Sequence, residues 1–465
     1  MKDNIKIKLP KYNHMPSMLL YRFEIKLIEQ VYKHRYMRAA DIINLYTLYR
    51  EEVAFEPITR NGISKRLDRL VDSGILKRKQ NESMKFNGLL FNSYFYTVGT
   101  RGLNVLVNEG CIEEVEVNRF EDIMKKITLP SVHTMATSTL ANNMYMYLYQ
   151  QGRINDSFKV RLLRGNAHAI LGTSANATTD YKGLIVPDYV VETEYALIAL
   201  EVDSGRQGKN VILNKVKRYK KFCESDYAKG KEIYVVFSPI DYSVAKYAEE
   251  GTRVKRTHFL KTSFDTTVDW PNNLHVYATP SANVPEFVKR AVDELEVMQP
   301  ILQSFMADEW IDYTKIVMKN FDCEVGTFEE KDIKPPTSNW NPLFTADSYM
   351  TVKYPNKRKR HYVVLRMCPG SIHSYERYKV YRARLESLNE SDYSNYQVDL
   401  ILLYDNLACL DADVIEYEQS RNVEVYLTDK ESWLSLAEQT RAQIKKSQLP
   451  LWELGSNFTK VPRDE

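Results

Sequence analysis

The sequence lacks most of what would build a secreted or membrane-spanning protein. Its five cysteines, Cys111, Cys223, Cys323, Cys368 and Cys409, are far apart, odd in number and without a Cys-x-x-Cys pair. That excludes a disulfide frame or a thiolate zinc site, and the residues read as reduced thiols. No apolar run approaches the ~20 residues that span a bilayer. The opening Met-Lys-Asp-Asn-Ile-Lys has no apolar signal core. A cytoplasmic protein without membrane association is expected. Glycine and proline are modest at 17 each, beside 32 tyrosines, which argues against low complexity. Net charge is also nearly absent, since 64 Lys and Arg against 61 Asp and Glu leave +3. Any nucleic-acid surface must therefore come from local clustering. Walker-type glycine loops, dinucleotide fingerprints and His-Glu-x-x-His are all missing.

What is present describes a soluble globular chain, 44% apolar and 27% charged, whose 465 residues are enough for two to four domains. Near the N-terminus, Leu19, Leu20, Phe23, Leu27 and Val31 recur at helical spacing over 16–34, and a second helix follows over Arg38 to Tyr49. A third helix is capped by Thr59, buries Ile63, Leu67 and Leu70, and stops at Gly74. Strands over Ile75 to Arg78 and Leu89 to Val98 flank a polar tip. Helix, helix, basic helix and hairpin in this order resemble a winged helix-turn-helix. The third helix and the hairpin carry Arg60, Lys65, Arg66, Arg69, Lys77, Arg78, Lys79 and Lys85 against Asp68, Asp72 and Glu82. This clustering is the electrostatic footprint of double-stranded DNA binding, with the helix in the major groove and the hairpin on the backbone. A winged helix used for protein contact is the alternative.

The centre of the chain is the stretch Val186 to Phe222. It reads Val-Pro-Asp, a strand, the apolar run Tyr195 to Leu200, then Glu201-Val202-Asp203-Ser204-Gly205 and a lysine-rich helix. Strand alternation sends Glu201 and Asp203 to one side. Asp188 begins the neighbouring strand, so three carboxylates are expected to converge beyond a buried central strand. Hard oxygen donors of this kind suit Mg²⁺ or Mn²⁺. A solvated strand rim is the plainer alternative.

Beyond the break at Lys334-Pro335-Pro336, the order of motifs recurs. Asp347 parallels Asp188, Val363 to Gly370 parallels Ile198 to Gly205, and Lys379 parallels Lys215. Leu400 to Tyr404 parallels Ile233 to Phe237, and Asn422 to Thr428 parallels Asn273 to Thr279. In this register Arg366 replaces Glu201 and Cys368 replaces Asp203, so the second copy has no cation site. With Lys353, Lys357, Arg358, Lys359, Arg360, Arg377, Lys379, Arg382 and Arg384 it is the most basic region of the chain. It reads as a degenerate copy that grips DNA or builds a homodimer, or as a solubilising charged face.

Pro-Asp, Glu-x-Asp and a lysine-bearing helix resemble the PD-(D/E)XK nuclease core. An upstream winged helix, a His opening the next helix, Glu-Val-Asp-x-Gly and Lys-x-x-x-Tyr resemble, more narrowly, the replication-relaxation family of plasmids and conjugative elements. That family includes relaxases without the usual histidine-triad metal motif. The resemblance covers Leu20 to Ser238 and rests on His133, Asp188, Glu201, Asp203, Lys215 and Tyr219. It implies metal-assisted phosphodiester cleavage of origin DNA, alongside mobilisation or replication proteins. Asp188, Glu201 and Asp203 would hold Mg²⁺ or Mn²⁺, and Lys215 would stabilise charge on the phosphate. His133 would be a base or phosphate ligand. Tyr219 is a conceivable nucleophile that more naturally packs. The nuclease pattern places a lysine two residues after the Glu, where this chain has Asp203. A non-catalytic DNA-binding replication or transcription regulator therefore stands as the alternative function.

The expected fold is mixed α/β. A winged helix-turn-helix occupies 1–112, a connector 113–130 and a nuclease-like domain 131–283. A helical connector over 284–338 leads to a degenerate second nuclease-like domain over 339–465.

Overall fold

Local chemistry fixes the ends of the first helices. A computed structural model describes residues 6–53, 55–81, 85–86, 89–90, 93–126, 130–154, 161–164, 185–205, 207–240, 250–264, 270–297, 302–329, 346–390, 397–415, 422–439, 449–454 and 460–462. Two compact units make up the chain. Met1–Gln207, Ser238–Arg253 and Ser281–Val292 form the first; Gly208–Phe237, Val254–Pro280 and Asp293–Glu465 form the second. The division passes through the segment 131–283. The architecture is mixed α/β, as the sequence patterns predict.

The first unit opens with the antiparallel pair β1 (Lys6–Leu9) and β2 (Met18–Tyr21), followed by α1 (Arg22–His34). Leu19 and Leu20 thus lie in a strand, not in the helix that their spacing suggests, because β1 supplies a partner for them. Tyr21 stops the strand, and its N–H donates to Glu24 Oε2 at 3.0 Å. Next come β3 (Met37–Arg38), α2 (Ala39–Glu52), α3 (Arg60–Asp72) and β4 (Leu76–Asn81). The short pair β5 (Lys85–Phe86) and β6 (Leu89–Leu90) precedes β7 (Ser93–Val98) and α4 (Thr100–Asn108). Thr59 caps α3, its hydroxyl accepting from Gly62 N–H at 3.2 Å. Gly74 ends the turn after α3 at φ +73°, a left-handed conformation that a Cβ disfavours. The strand order is β3-β7-β4, all antiparallel. Phe23, Leu27, Leu45, Leu67, Leu70 and Leu103 meet in one buried core.

The acidic stretch expected as a connector is a helix, α5 (Glu114–Lys126). Glu114 and Glu116 favour its positive N-terminal end, and Phe120 is buried against Tyr32 at a centroid distance of 5.0 Å. α6 (Val132–Gln150) then closes the core. Its Tyr145 hydroxyl meets that of Tyr49 at 2.6 Å, and Thr139 donates to Asp41 at 2.9 Å. Three antiparallel strands follow, β8 (Arg161–Arg164), β9 (Tyr189–Glu192) and β10 (Ala196–Asp203). His34 of α1 stacks on Tyr189 at 5.9 Å.

The second unit receives α7 (Lys209–Cys223) and most of β11 (Glu232–Pro239) and α8 (Glu250–Thr262), then β12 (Leu274–Ala278), which pairs parallel with β11. α9 (Val284–Val297) begins in the first unit and ends in the second, and α10 (Leu302–Lys319) follows. The remaining elements are β13 (Glu324–Thr327), β14 (Ser348–Lys353), β15 (Lys359–Arg366), α11 (Ile372–Asn389), β16 (Val398–Tyr404) and α12 (Leu407–Ala412). The last are β17 (Val425–Asp429), α13 (Lys430–Ala437), β18 (Leu451–Leu454) and β19 (Lys460–Pro462). The strands β13 to β19 form one sheet in sequence order. Its middle is covered on both faces. Val363, Leu365, Leu400 and Leu402 meet Tyr378 and Tyr381 of α11, while Val364, Ile401 and Leu403 meet Trp310 and Trp433. Among the described residues, no helix is long and apolar enough to cross a membrane.

Candidate active site

The acidic site is built where β10 ends. This strand is buried along its whole length, Glu201 and Asp203 included, each 3% exposed. Alternation puts these two acids on one face, with Val202 turned to the other. Asp188 lies just before β9. Its N–H donates to Leu200 O at 3.0 Å and its Oδ2 accepts from Val202 N–H at 2.9 Å, so its two bonds bracket Glu201. The carboxylate thus accepts from the strand at the point where the backbone ladder ends.

His133 completes this corner. Ser131 caps α6, accepting from Thr134 N–H at 3.1 Å, and so fixes His133 in the first turn. Its Nε2 stands 2.9 Å from Val202 O and 3.3 Å from Asp188 Oδ2. Both neighbours are acceptors, so Nε2 carries a proton and donates. In this arrangement His133 holds Asp188 and the strand end together, and its Nε2 has no lone pair for a base. Lys215 and Tyr219 lie on α7 in the second unit, Lys215 half-buried and Tyr219 in the core at 1% exposure. Three carboxylates supply the hard oxygen donors that Mg²⁺ and Mn²⁺ prefer. Among the described residues, however, no group of three or more His, Cys, Asp or Glu is arranged to hold an ion.

The basic face of the first unit is narrower than its sequence. Arg60, Lys65 and Arg69 are exposed along α3, opposite the buried Ile63, Leu67 and Leu70, and Lys77 is exposed on β4. None of these four makes an ion pair among the described residues. Arg66 differs from the expectation that it joins them. Its Nε and Nη2 donate to the two carboxylate oxygens of the fully buried Glu24, at 2.7 and 2.6 Å. Burial opposes the guanidinium charge, but Glu24 outweighs it and raises the Arg66 pKa. Arg78 pairs with Asp68 and lies over Tyr94, 5.0 Å from the ring centre. Lys79 rests over the Tyr36 ring at 5.5 Å. The side chain of Lys85 lies outside the described residues. No sequence signal marked Glu24 as the partner of Arg66, 42 residues away.

The family model described as replication-relaxation matches residues 28–236, within the range that the sequence motifs cover. The chain carries a replication-relaxation domain. The family points to a role in plasmid replication or mobilisation. No curated protein and no solved structure matches. The replication-relaxation domain contains Arg60 to Lys79, His133, Asp188, Glu201, Asp203, Lys215 and Tyr219.

C-terminal to the replication-relaxation domain, the second unit repeats the Asp188 arrangement atom for atom. Asp347 N–H donates to Val364 O at 3.1 Å, and Asp347 Oδ2 accepts from Arg366 N–H at 2.6 Å. Arg377 of α11 takes the place of His133. Its Nη2 is 2.7 Å from Asp347 Oδ2 and donates to Arg366 O. This anchoring shifts the register expected from sequence by one residue. Arg366 corresponds to Val202, not to Glu201, and the counterparts of Glu201 and Asp203 are Leu365 and Met367, both buried. The left-handed glycines that suggested the other register, Gly205 and Gly370, misled because the loop before Gly370 is one residue longer. The last echo shifts too. Ile233 N–H donates to Asn273 O and Leu400 N–H to Glu424 O, so Asn273 corresponds to Glu424 and not to Asn422.

Proposed function

We propose that this chain binds duplex DNA at a plasmid or conjugative-element origin and nicks it in a metal-dependent reaction. In this reading the first unit begins with a winged helix. α3 enters the major groove with Arg60, Lys65 and Arg69, and Lys77 of the β4–β7 hairpin lies on the backbone. Asp188, Glu201 and Asp203 are the catalytic acids on a nuclease-like core, and the strands after residue 338 are a degenerate copy of that core.

One observation carries the catalytic half. The same aspartate anchor occurs twice, and around Asp347 the fold is completed with Leu365 and Met367. Apolar residues therefore suffice to build this strand end. Glu201 and Asp203 are buried carboxylates where leucine and methionine satisfy the architecture, and burying a carboxylate costs several kcal/mol unless it is compensated. Acids kept at positions where the second strand end is built from apolar residues support a chemical role.

Mg²⁺ usually takes one or two protein carboxylates and completes its shell with water and substrate phosphate, so the pair on β10 fits it in donor type and number. Bound there, the ion would supply Lewis acidity and an activated water. The chain's own contribution is positional. His133 and Val202 N–H fix Asp188, and the alternation of β10 aims Glu201 and Asp203 together.

Relaxation of a supercoiled plasmid carrying the neighbouring origin region tests this. With Mg²⁺ or Mn²⁺, wild type should nick, while Glu201→Gln and Asp188→Asn should shift DNA in a gel without nicking it. Asp203, standing where the nuclease pattern has lysine, favours a second reading, a regulator without catalysis. Wild type that binds DNA and never nicks it with either metal establishes that one instead.

A further inference from the structure

The second unit contains most of the basic residues that lie beyond the replication-relaxation domain, and the structure separates them into two groups. Several are neutralised within the fold. Lys353 pairs with Glu324 at 2.7 Å, Arg360 with Glu424 at 2.8 Å, Arg366 with Asp405 at 3.5 Å and Arg377 with Asp347 at 2.7 Å. Lys357, Arg358 and Lys359 are different. They are consecutive at the turn joining β14 to β15 and all exposed, and their side chains make no ion pair or hydrogen bond among the described residues.

The turn itself adds a second observation. Tyr354 N–H donates to Arg358 O and Lys357 N–H to Tyr354 O, each at 2.9 Å, which closes a tight hairpin. Lys357 then adopts φ +64°. This is the left-handed position where glycine or asparagine is preferred and a lysine costs on the order of 1 kcal/mol. The hairpin thus keeps a cation where folding alone favours a neutral residue, and such local strain is characteristic of binding elements. The tip has no exposed aromatic or aliphatic side chain beyond Pro355, which leaves it without the means to enter a membrane.

We propose that the Lys357-Arg358-Lys359 tip grips the sugar-phosphate backbone of duplex DNA, a sequence-independent contact separate from the α3 face. Lysine and arginine donate to phosphate oxygens without reading bases, and each neutralised phosphate releases condensed counterions. The contact rests on the DNA-binding reading given above.

The test is fluorescence anisotropy of the full chain on a duplex unrelated to any origin, over a salt series. The variants are Lys357→Asn, the triple Lys357→Asn/Arg358→Gln/Lys359→Gln, and Arg60→Gln/Lys65→Gln/Arg69→Gln. Asparagine accepts the left-handed backbone, so an unchanged melting temperature should show the hairpin intact. The slope of log affinity against log salt should fall by about 0.9 for the single variant and by about 2.7 for the triple. Affinity at 0.1 M salt should fall on the order of a hundredfold for the triple. If wild type binds and the triple variant keeps its slope while the α3 variant loses affinity, the hairpin contact is wrong and the DNA-binding reading stands. If wild type fails to bind duplex DNA even at low salt, both are wrong. Polyglutamate bound as tightly as DNA through the same residues would overturn DNA as the partner.

Discussion

Arg66 separates structural from functional charge on α3. Replacing it with methionine leaves the Glu24 carboxylate, which is 0% exposed, without either guanidinium bond. Among the described residues, the Tyr46 hydroxyl at 3.3 Å and the Tyr21 N–H at 3.0 Å remain. Removing one partner of a buried ion pair costs about 3–5 kcal/mol. The Arg66 side chain is 16% exposed, so some water reaches the pair and the lower end applies, about 3 kcal/mol. For a unit of this size each kcal/mol moves the midpoint by roughly 2–4 °C, which predicts a fall of about 6–12 °C. Differential scanning calorimetry of the full chain measures it, and anisotropy on duplex DNA measures the other half. Arg66→Met should destabilise without lowering DNA affinity once folded, and Arg69→Gln should do the opposite. Adding Glu24→Leu to Arg66→Met should recover most of the loss, short of about 1 kcal/mol for the helix cap that Glu24 also provides. An Arg66→Met protein that melts normally but binds DNA as weakly as Arg69→Gln would refute the reasoning.

Two further predictions concern the second unit. Burial, reinforced by the Glu424 charge and opposed by Arg360 and the Glu424 N–H, pushes the Asp399 carboxyl up to about 6. The folded chain therefore binds this proton more tightly than the unfolded chain, and the associated stability, full below about pH 4, is lost as pH rises through 6. Asp399→Asn should gain up to about 3 kcal/mol over wild type at pH 8 and nothing at pH 4, read from urea unfolding across that range. Equal differences at both pH values would contradict the assignment. Lys261 and Asp413 form an ion pair with side chains 1% and 2% exposed, and Asp413 also accepts from Tyr404 and Gly370. Burial works to raise the Asp413 pKa, yet Lys261 holds it below the usual carboxylate range. Its contribution is present above pH 4 and lost as pH falls below that. Lys261→Met should cost about 3–5 kcal/mol at neutral pH, and a loss below 1 kcal/mol would show the pair to be dispensable.

Periodicity and caps made the elements legible. Thr59 and Ser131 begin helices as their neighbours predict, and the all-apolar β10 is as buried as its composition implies. The order of motifs also pointed to the second aspartate anchor at Asp347. The exact register was not legible, because a one-residue difference in loop length is invisible until the bonds of Asp188 and Asp347 are compared. Long-range partners were equally hidden. Nothing local in α3 distinguishes Arg66 from Arg69, and the difference lies in a glutamate on α1. α5 was missed because its acidic surface masks a single buried stripe through Phe120. The cation tally of the second unit overstated its free charge for the same reason, since the acids that neutralise it come from other strands.

The central claim is that Glu201 and Asp203 serve chemistry and not folding. The most direct test gives the first strand end the residues of the second, as Glu201→Leu/Asp203→Met. The account predicts a protein that stays folded, binds duplex DNA as before and no longer nicks supercoiled origin plasmid. A variant that unfolds, or one that nicks as wild type does, would contradict it.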